Sequence, residues 1–414
     1  MTSELVGRRT VLASTGGLFA LPDFGLAQSR ANNVALVVGN SGYAWEASLP
    51  NVQRDVRDIV ERFQALGIKT DLKENLGGQA LRRAFEDFRG AAHGANFAAY
   101  YYAGHGVSWG KETFIVPVDS DLGDPGAVKS LVRVSSIADV TNGAAHRMFV
   151  FDSCRNNPVD GWRQVDAEQG AAISVDRQRA AAAVFGNVLT MFSTAPGHVA
   201  LDGPAGLNSP FAAALLRQLG AGAVDLRELS PKMRRDLIVT TQGRQVLFDF
   251  NSYGQPFVLG NSAAPTGVVR PEAGGAQIIE LGAAYTFARA NDIPLPTGLV
   301  ALRSAGNGRA PPMTGAFRFE VKGDGALYPE ILVVLSIHAD SSANAVLAGK
   351  TPKSRYWRFV TGRVSGSRLD FLPRAGAARY TFDWRDANSG SVGLIWESYA
   401  NAPPFASRFT RLDG

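Results

Sequence analysis

The pattern of apolar and polar residues changes character along the chain. Between residues 31 and 261, short apolar runs alternate with stretches whose apolar residues recur every three or four positions. Runs such as "VALVVGN" are typical of strands buried on both faces, and stretches such as "VQRDVRDIVERFQALG" are typical of amphipathic helices. The alternation predicts an α/β domain with a mainly parallel sheet that helices cover on both faces.

A different pattern follows residues 262–276, a segment rich in small residues, proline and glycine that predicts a linker. From residue 277 to 414, short alternating runs with aromatic and β-branched residues are separated by Gly, Asn, Asp and Ser. This pattern predicts a smaller all-β domain, a sandwich or a barrel, with no helix beyond a turn at "AAYTFARAND". Nothing in this β-rich domain indicates its role.

The first thirty residues differ from both regions. An arginine pair, Arg8 and Arg9, precedes a weakly apolar stretch from Val11 to Leu21 and then several small residues. This order predicts an export signal of the twin-arginine type, removed near Gln28, and a mature protein that is periplasmic or secreted. The apolar stretch is too short for a permanent membrane span. The alternative interpretation is a disordered tail.

Composition narrows the possible functions. A length of 414 residues predicts two or three domains, and 45% hydrophobic residues are enough for a sizeable core. The net charge of +5 comes from scattered basic residues, which gives no sign of nucleic-acid binding. The one cysteine, Cys154, excludes an intramolecular disulfide and a thiolate-rich zinc site.

A histidine follows the apolar run "FAAYYYA" directly. His105 lies between Gly104 and Gly106, and the two glycines allow a sharp turn that leaves the imidazole at the carboxyl edge of the sheet. Parallel sheets bind their ligands at this edge. Taken alone, a histidine in a glycine turn is more often an ordinary surface residue.

The cysteine lies in a similar place. Cys154 follows the apolar run "MFVF" and has charged neighbours, so its thiolate is reachable, unlike that of a cysteine inside a strand. It comes 49 residues after His105, and adjacent parallel strands lie about 4.8 Å apart, so both side chains can reach one cleft. A thiol beside an imidazole is suited to nucleophilic catalysis, and the N–H groups of Gly106 and Cys154 could hold an oxyanion.

Several motifs resemble one known family. "ALVVGNSGY", "YYAGHGV", "DSCRNNP" and "STAPGHVALDGPAGLNSPFAAALLRQL" follow, in order, the pattern of caspase-like cysteine peptidases, specifically the bacterial caspase homologues near metacaspases and orthocaspases. The resemblance covers about residues 33–260. It implies a caspase-hemoglobinase fold with a six-stranded, mainly parallel sheet and flanking helices. It also implies that His105 and Cys154 form the catalytic dyad.

The resemblance also bears on specificity. Metacaspases carry aspartates at the positions of Asp152 and Asp55, where two carboxylates would hold a substrate Arg or Lys by charge-assisted hydrogen bonds. Asp202 and Ser209 match a segment of the substrate groove. The serine that metacaspases carry two residues before the histidine is Ala103 here, so one expected polar contact is missing. The alternative for Asp55 is a solvated helix residue.

The stretch between Pro158 and Gly186 is polar and predicts an exposed loop between two strands. In the family this region separates the two portions of the domain, and a basic-specific peptidase could cut itself there at Arg163, Arg177 or Arg179. A loop that is mobile, or that lines the cleft uncut, fits equally well. Some metacaspases bind calcium, but a turn explains the acidic residues 119–126, and we predict no metal or other cofactor.

The expected function is therefore an exported cysteine endopeptidase that cleaves proteins or peptides after Arg or Lys. One alternative is a catalytically silent caspase-like module that binds partners together with its β domain. Another is a different hydrolase of the same fold. No nucleic acid and no stable membrane span are expected, and the sequence leaves the oligomeric state open.

Overall fold

The computed structural model describes residues 32–109, 112–124, 126–155, 173–174, 186–220, 222–260, 276–303, 313–323, 325–351, 354–371, 378–396 and 404–413. The predicted export signal lies outside these ranges, as do the candidate self-cleavage residues Arg163, Arg177 and Arg179.

The elements of the first part of the chain alternate as the pattern predicts. Its helices are α1 (Val52–Ala65), α2 (Gly78–Ala92), α3 (Val134–Ala138), α4 (Pro210–Leu219) and α5 (Leu226–Thr240). Its strands are β1 (Asn33–Gly39), β2 (Lys69–Glu74), β3 (Phe97–Ala103), β4 (Gly106–Trp109), β5 (Glu112–Ile115), β6 (Val132–Arg133), β7 (His146–Asp152), β8 (Ile173–Ser174), β9 (Val188–Phe192), β10 (Val224–Asp225), β11 (Phe248–Asn251) and β12 (Val258–Leu259).

Six of these strands form the central sheet, in the order β11-β9-β7-β3-β1-β2. All neighbours are parallel except β11, which runs antiparallel to β9. Side chains of β3 alternate between the two faces, so Tyr100 packs on one side and Tyr101 on the other. Helices α1, α4 and α5 cover one face, and α2 lies on the other. The mainly parallel sheet with flanking helices is confirmed.

The remaining elements are α6 (Gly282–Ala290), β13 (Gln277–Glu280), β14 (Val300–Arg303), β15 (Gly315–Gly323), β16 (Ala326–Ile337), β17 (Ser342–Lys350), β18 (Arg355–Ser365), β19 (Arg368–Phe371), β20 (Ala378–Trp384), β21 (Ser389–Trp396) and β22 (Phe405–Arg411). The nine-residue helix α6 replaces the turn expected near "AAYTFARAND". Its buried residues are two alanines, Ala284 and Ala288, which make a weak helical pattern.

Strands β15 to β22 form a closed antiparallel barrel, because β17 pairs with β18 and β15 pairs with β22. The alternating pattern allows a sandwich or a barrel, and the structure confirms the barrel. Apolar and aromatic side chains such as Phe317, Phe382 and Phe409 fill its interior, as in other small eight-stranded barrels. The two residues of β8 pair with Tyr356 and Trp357 of β18, in a part of that strand that does not pair with β19. Among the described residues, no helix is both long and apolar enough to cross a membrane.

Candidate active site

Two neighbouring strands bring the candidate histidine and cysteine to one edge of the sheet. Strands β3 and β7 are parallel, and Ala103 lies opposite Asp152 at their carboxyl ends. His105 and Cys154 each follow two residues later, so they leave the sheet side by side. The approach is close, because a Cβ on Gly106 would lie 2.7 Å from the carbonyl oxygen of Cys154.

Both the ring and the backbone of His105 are held by hydrogen bonds. Its Nε2 lies 2.7 Å from the carbonyl oxygen of Ala47, and its backbone N–H donates to the Tyr43 hydroxyl at 2.7 Å. The Tyr102 hydroxyl donates to the His105 carbonyl at 2.8 Å. A Cβ on Gly104 would lie 2.6 Å from both tyrosine hydroxyls, so only glycine fits there. Because a carbonyl only accepts, the hydrogen of the neutral ring is on Nε2 and Nδ1 keeps its lone pair.

The thiol of Cys154 is partly exposed just past β7. Its Sγ lies 3.9 Å from the carbonyl oxygen of Ala200. Burial raises the pKa of the thiol, the contact with Ala200 lowers it, and the charges of Asp152 and Asp202 raise it further. The resting group is therefore a thiol. Within the described residues, no hydrogen bond joins this sulfur to His105, and no acceptor takes the Cys154 N–H.

Two buried carboxylates lie beside the thiol and share one partner. Asp152 is 8% exposed and Asp55 is 1% exposed. The Ser209 hydroxyl donates to Asp152 Oδ2 at 2.5 Å, and the Ser209 N–H donates to Asp55 Oδ1 at 3.0 Å. The side-chain amide of Asn208 also donates to Asp55 Oδ1 at 3.0 Å. The interpretation of Asp55 as a solvated helix residue is therefore wrong.

The environment of this pair favours the neutral form. Burial raises the pKa of Asp55, and the nearby charge of Asp152 raises it further. Burial also raises the pKa of Asp152, while hydrogen bonds from Ser209 and Ser193 lower it. Two carboxylates so close to each other ionise together only at a cost in free energy. A cation that entered between them would relieve this repulsion and form charge-assisted hydrogen bonds.

Asn51 ties the two loops that carry the carbonyls of Ala47 and Ala200. Its side-chain amide donates to the carbonyl oxygens of Asp202 and Pro204, at 2.9 and 3.1 Å. Asp202 is a third acidic group near the site; burial raises its pKa and the nearby His105 lowers it.

The sequence did not single out Tyr43, Ala47 or Asn51. Tyr43 lies in the quoted motif "ALVVGNSGY", whereas Ala47 acts through its backbone and leaves no signal in residue type.

The acidic residues 119–126 have local roles. Asp119 accepts a hydrogen bond from the N–H of Gly78 at 2.9 Å, near the start of α2. Asp121 and Asp124 each accept the N–H two residues further on, at 2.8 Å. In the part of the chain that the structure describes, no three His, Cys, Asp or Glu side chains are grouped so that they could hold a metal ion.

Comparison with known proteins identifies the domain that carries this site. A family model described as the caspase domain matches residues 32–250, from the start of β1 into β11. The chain belongs to the caspase domain family. His105 and Cys154 therefore both lie inside a caspase domain, and membership supports a caspase-type cysteine peptidase that hydrolyses peptide bonds.

One similar solved structure is caspase-1 from Spodoptera frugiperda, at 16% sequence identity and a TM-score of 0.42. The similarity covers 56% of this chain and 91% of that one. None of the curated proteins matches the chain.

Proposed function

We propose that this protein is a cysteine endopeptidase that cleaves peptide bonds after Arg or Lys, with Cys154 as nucleophile and His105 as general base and acid. The observation that carries the proposal is the pair of buried carboxylates, Asp55 and Asp152, beside a thiol at the edge of the sheet. Two acidic groups this close to a nucleophile favour a cationic residue before the scissile bond and repel an acidic one.

The hydrogen bond of His105 to Ala47 supports the proposed role of the imidazole. With its hydrogen on Nε2, the ring can take the thiol proton on Nδ1 as the sulfur attacks the substrate carbonyl. The C–O double bond becomes an oxyanion, for which the N–H groups of Cys154 and Gly106 are the proposed donors. His105 then gives the proton to the leaving amine. A thioester remains, and water hydrolyses it with His105 again as base.

The raised pKa of Cys154 favours this order of events over a preformed thiolate. Because the thiol ionises only as its proton moves to the imidazole, the resting enzyme is a weak nucleophile. A protonated thiol is also less easily oxidised, which suits a protein that acts outside the cytoplasm. The proposed twin-arginine export fits the same picture, since that route carries folded proteins.

The test uses short fluorogenic peptides that end in Arg, Lys or Asp before the reporter group. Wild type is expected to cleave the Arg and Lys peptides, and Cys154→Ala and His105→Ala are each expected to lose at least about 10³-fold in kcat. Circular dichroism and Tm would show that the variants keep the fold. No thiol-dependent cleavage of any peptide would overturn the proposal.

A catalytically silent binding module is the second candidate. It is favoured by the contacts of the two side chains: the His105 ring bonds to Ala47 and the Cys154 sulfur touches Ala200, with no hydrogen bond between them. Hydrogen bonds of catalytic groups often tighten only once substrate is bound. The same peptide assay decides, because a silent module gives equal traces for wild type and Cys154→Ala.

We also propose that the enzyme cuts itself in the segment that follows Cys154 in the sequence, at Arg163, Arg177 or Arg179. A peptidase that cleaves after basic residues could cleave the peptide bonds that follow these arginines in its own chain. Intact-mass measurements during incubation should show fragments that end in one of these arginines for wild type and none for Cys154→Ala. A chain that stays whole while it cleaves peptides would show that activity needs no cut.

A further inference from the structure

The barrel packs directly on the caspase domain, close to the candidate nucleophile. Trp357 and Phe359 of β18 point out of the barrel and are buried in the same core as Phe192 and Phe248 of the central sheet. The rings of Trp357 and Phe248 lie 4.9 Å apart. Strand β18 therefore covers part of this face of the central sheet.

One residue joins this barrel strand to the peptide that follows Cys154. The Nε2 of His198 lies 3.0 Å from the carbonyl oxygen of Phe359, and the two rings are 4.7 Å apart. The carbonyl of His198 accepts the N–H of Arg155 at 3.0 Å, and the N–H of Gly197 donates to the Arg155 carbonyl at 2.8 Å. His198 thus contacts the barrel through its side chain and the catalytic loop through its backbone.

The side chain of Arg155 makes a second connection to the barrel. Its guanidinium carbon lies 4.0 Å from the ring centre of Phe192 and 5.1 Å from that of Phe248. Because Phe248 also contacts Trp357, the barrel supports Arg155 from this side as well. The guanidinium is buried, and its Nη2 donates to Thr113 Oγ1 at 3.2 Å. Both the backbone and the side chain after the nucleophile are therefore held in place.

We propose that His198 is a positioning residue through which the C-terminal barrel fixes the place of Cys154. Ala200, two residues further on, supplies the carbonyl that contacts the sulfur, so a shift of His198 moves both neighbours of the thiol. A misplacement of about 1 Å can cost roughly 100-fold in rate. Ser209 holds the acidic pair through separate contacts, so substrate binding should change little. This inference rests on the proposed function, in which Cys154 is the nucleophile.

The test compares His198→Ala and His198→Gln in the full chain. The amide of Gln can replace Nε2 as the donor to Phe359. We expect kcat to fall about 10–100-fold in His198→Ala with KM within about twofold, and to recover most of its value in His198→Gln. The control is His338→Ala, which removes a barrel imidazole that bonds to Asn344 and, within the described residues, makes no hydrogen bond to residues 152–155. It should lower Tm and leave kcat unchanged.

A second measurement does not need peptidase activity. Because Cys154 is the one cysteine, its alkylation by iodoacetamide can be followed by intact mass. A changed alkylation rate in His198→Ala but not in His338→Ala supports the role of His198, even if wild type cleaves no peptide. The alkylation test can therefore succeed or fail independently of the proposed peptidase function. If His198→Ala kept the kcat and the alkylation rate of wild type, the proposed role of His198 would be overturned.

A further pair of variants covers the case in which His198→Ala does not fold. His198→Gln is then compared with His198→Asn, whose shorter side chain does not reach the carbonyl of Phe359. We expect a lower kcat for His198→Asn than for His198→Gln. Equal kcat in the two would overturn it.

Discussion

The Ser209 hydroxyl donates a 2.5 Å hydrogen bond to Asp152 Oδ2. The same hydroxyl accepts the N–H of Ala212, as the N-cap of α4, while the Ser209 backbone N–H binds Asp55. One residue at the start of a helix therefore fixes two carboxylates that come from different parts of the chain. Both carboxylates are therefore held by hydrogen bonds without any substrate.

Asp152→Asn should weaken the preference for basic residues. A hydrogen bond to a charged group contributes about 1.5–3 kcal/mol, so the ratio of kcat/KM for Arg over Gln peptides should fall roughly 10–100-fold. Ser209→Ala should lower the same ratio less, because the charge remains. The control is Asp58→Asn, which removes a more exposed carboxylate bonded to Asn208. An equal fall in Asp58→Asn would contradict the role of Asp152 in the preference for basic residues.

Asp55→Asn should increase stability while it reduces activity on Arg peptides. The folded protein raises the pKa of this carboxyl, so its contribution is most favourable at low pH and is lost as pH rises through the raised value. The amide does not ionise. The Tm of Asp55→Asn should therefore equal that of wild type near pH 4 and exceed it by a few degrees near pH 9. A lower Tm at pH 9 would show that the charge is not repelled in the fold.

The reactivity of Cys154 should rise steeply with pH. Its raised pKa means that the thiolate fraction increases about tenfold per pH unit from neutral pH upward. Iodoacetamide should therefore react at pH 7 more slowly with the protein than with glutathione, and the rate should keep rising beyond pH 9. Cys154→Ser provides the unlabelled control. A rate that is already constant at pH 7 would indicate a preformed thiolate.

Gly104→Ala should displace the imidazole of His105. The added Cβ would lie 2.6 Å from the hydroxyls of Tyr43 and Tyr102, which hold the histidine backbone. We expect kcat to fall at least about 100-fold. The matched control is Gly90→Ala in α2, where nothing lies within 4 Å and alanine should stabilise the helix by about 0.5–1 kcal/mol. Full activity of Gly104→Ala would show that the hydrogen bonds of Tyr43 and Tyr102 do not place the imidazole.

Export gives a separate prediction. The mature protein should begin near Gln28 and occur outside the cytoplasm, whereas a chain with Arg8→Lys and Arg9→Lys should accumulate uncut in the cytoplasm. N-terminal sequencing of each fraction checks this. A cytoplasmic protein that keeps residues 1–27 would contradict the prediction.

Much of the peptidase fold is predictable because its strands are strongly apolar. The run "FAAYYYA" and the run before Asp152 are buried on both faces, and their parallel pairing places His105 next to Cys154. The burial of Asp55 also had a signal, since it lies three residues after Val52 and four before Ile59, on the same face of α1.

Other features leave little trace in the sequence. The strand β11 has four residues and mixed polarity, so it does not stand out from a loop. Ala47 and Ala200 contact the site through backbone carbonyls, which any residue provides. The bond between His198 and Phe359 joins positions 161 residues apart, and it depends on how the barrel packs against the sheet.

The barrel that contacts His198 is synthesised after Cys154. The barrel closes through the pairings of β22 with β15 and β21 and of β17 with β18, and all of these strands follow the caspase domain in the chain. The support that we propose for Cys154 therefore comes from strands that are made after the nucleophile. A growing chain would hold Cys154 without that support until β18 has been made and has packed on the central sheet, so the proposed peptidase activity would develop only after the barrel strands have folded.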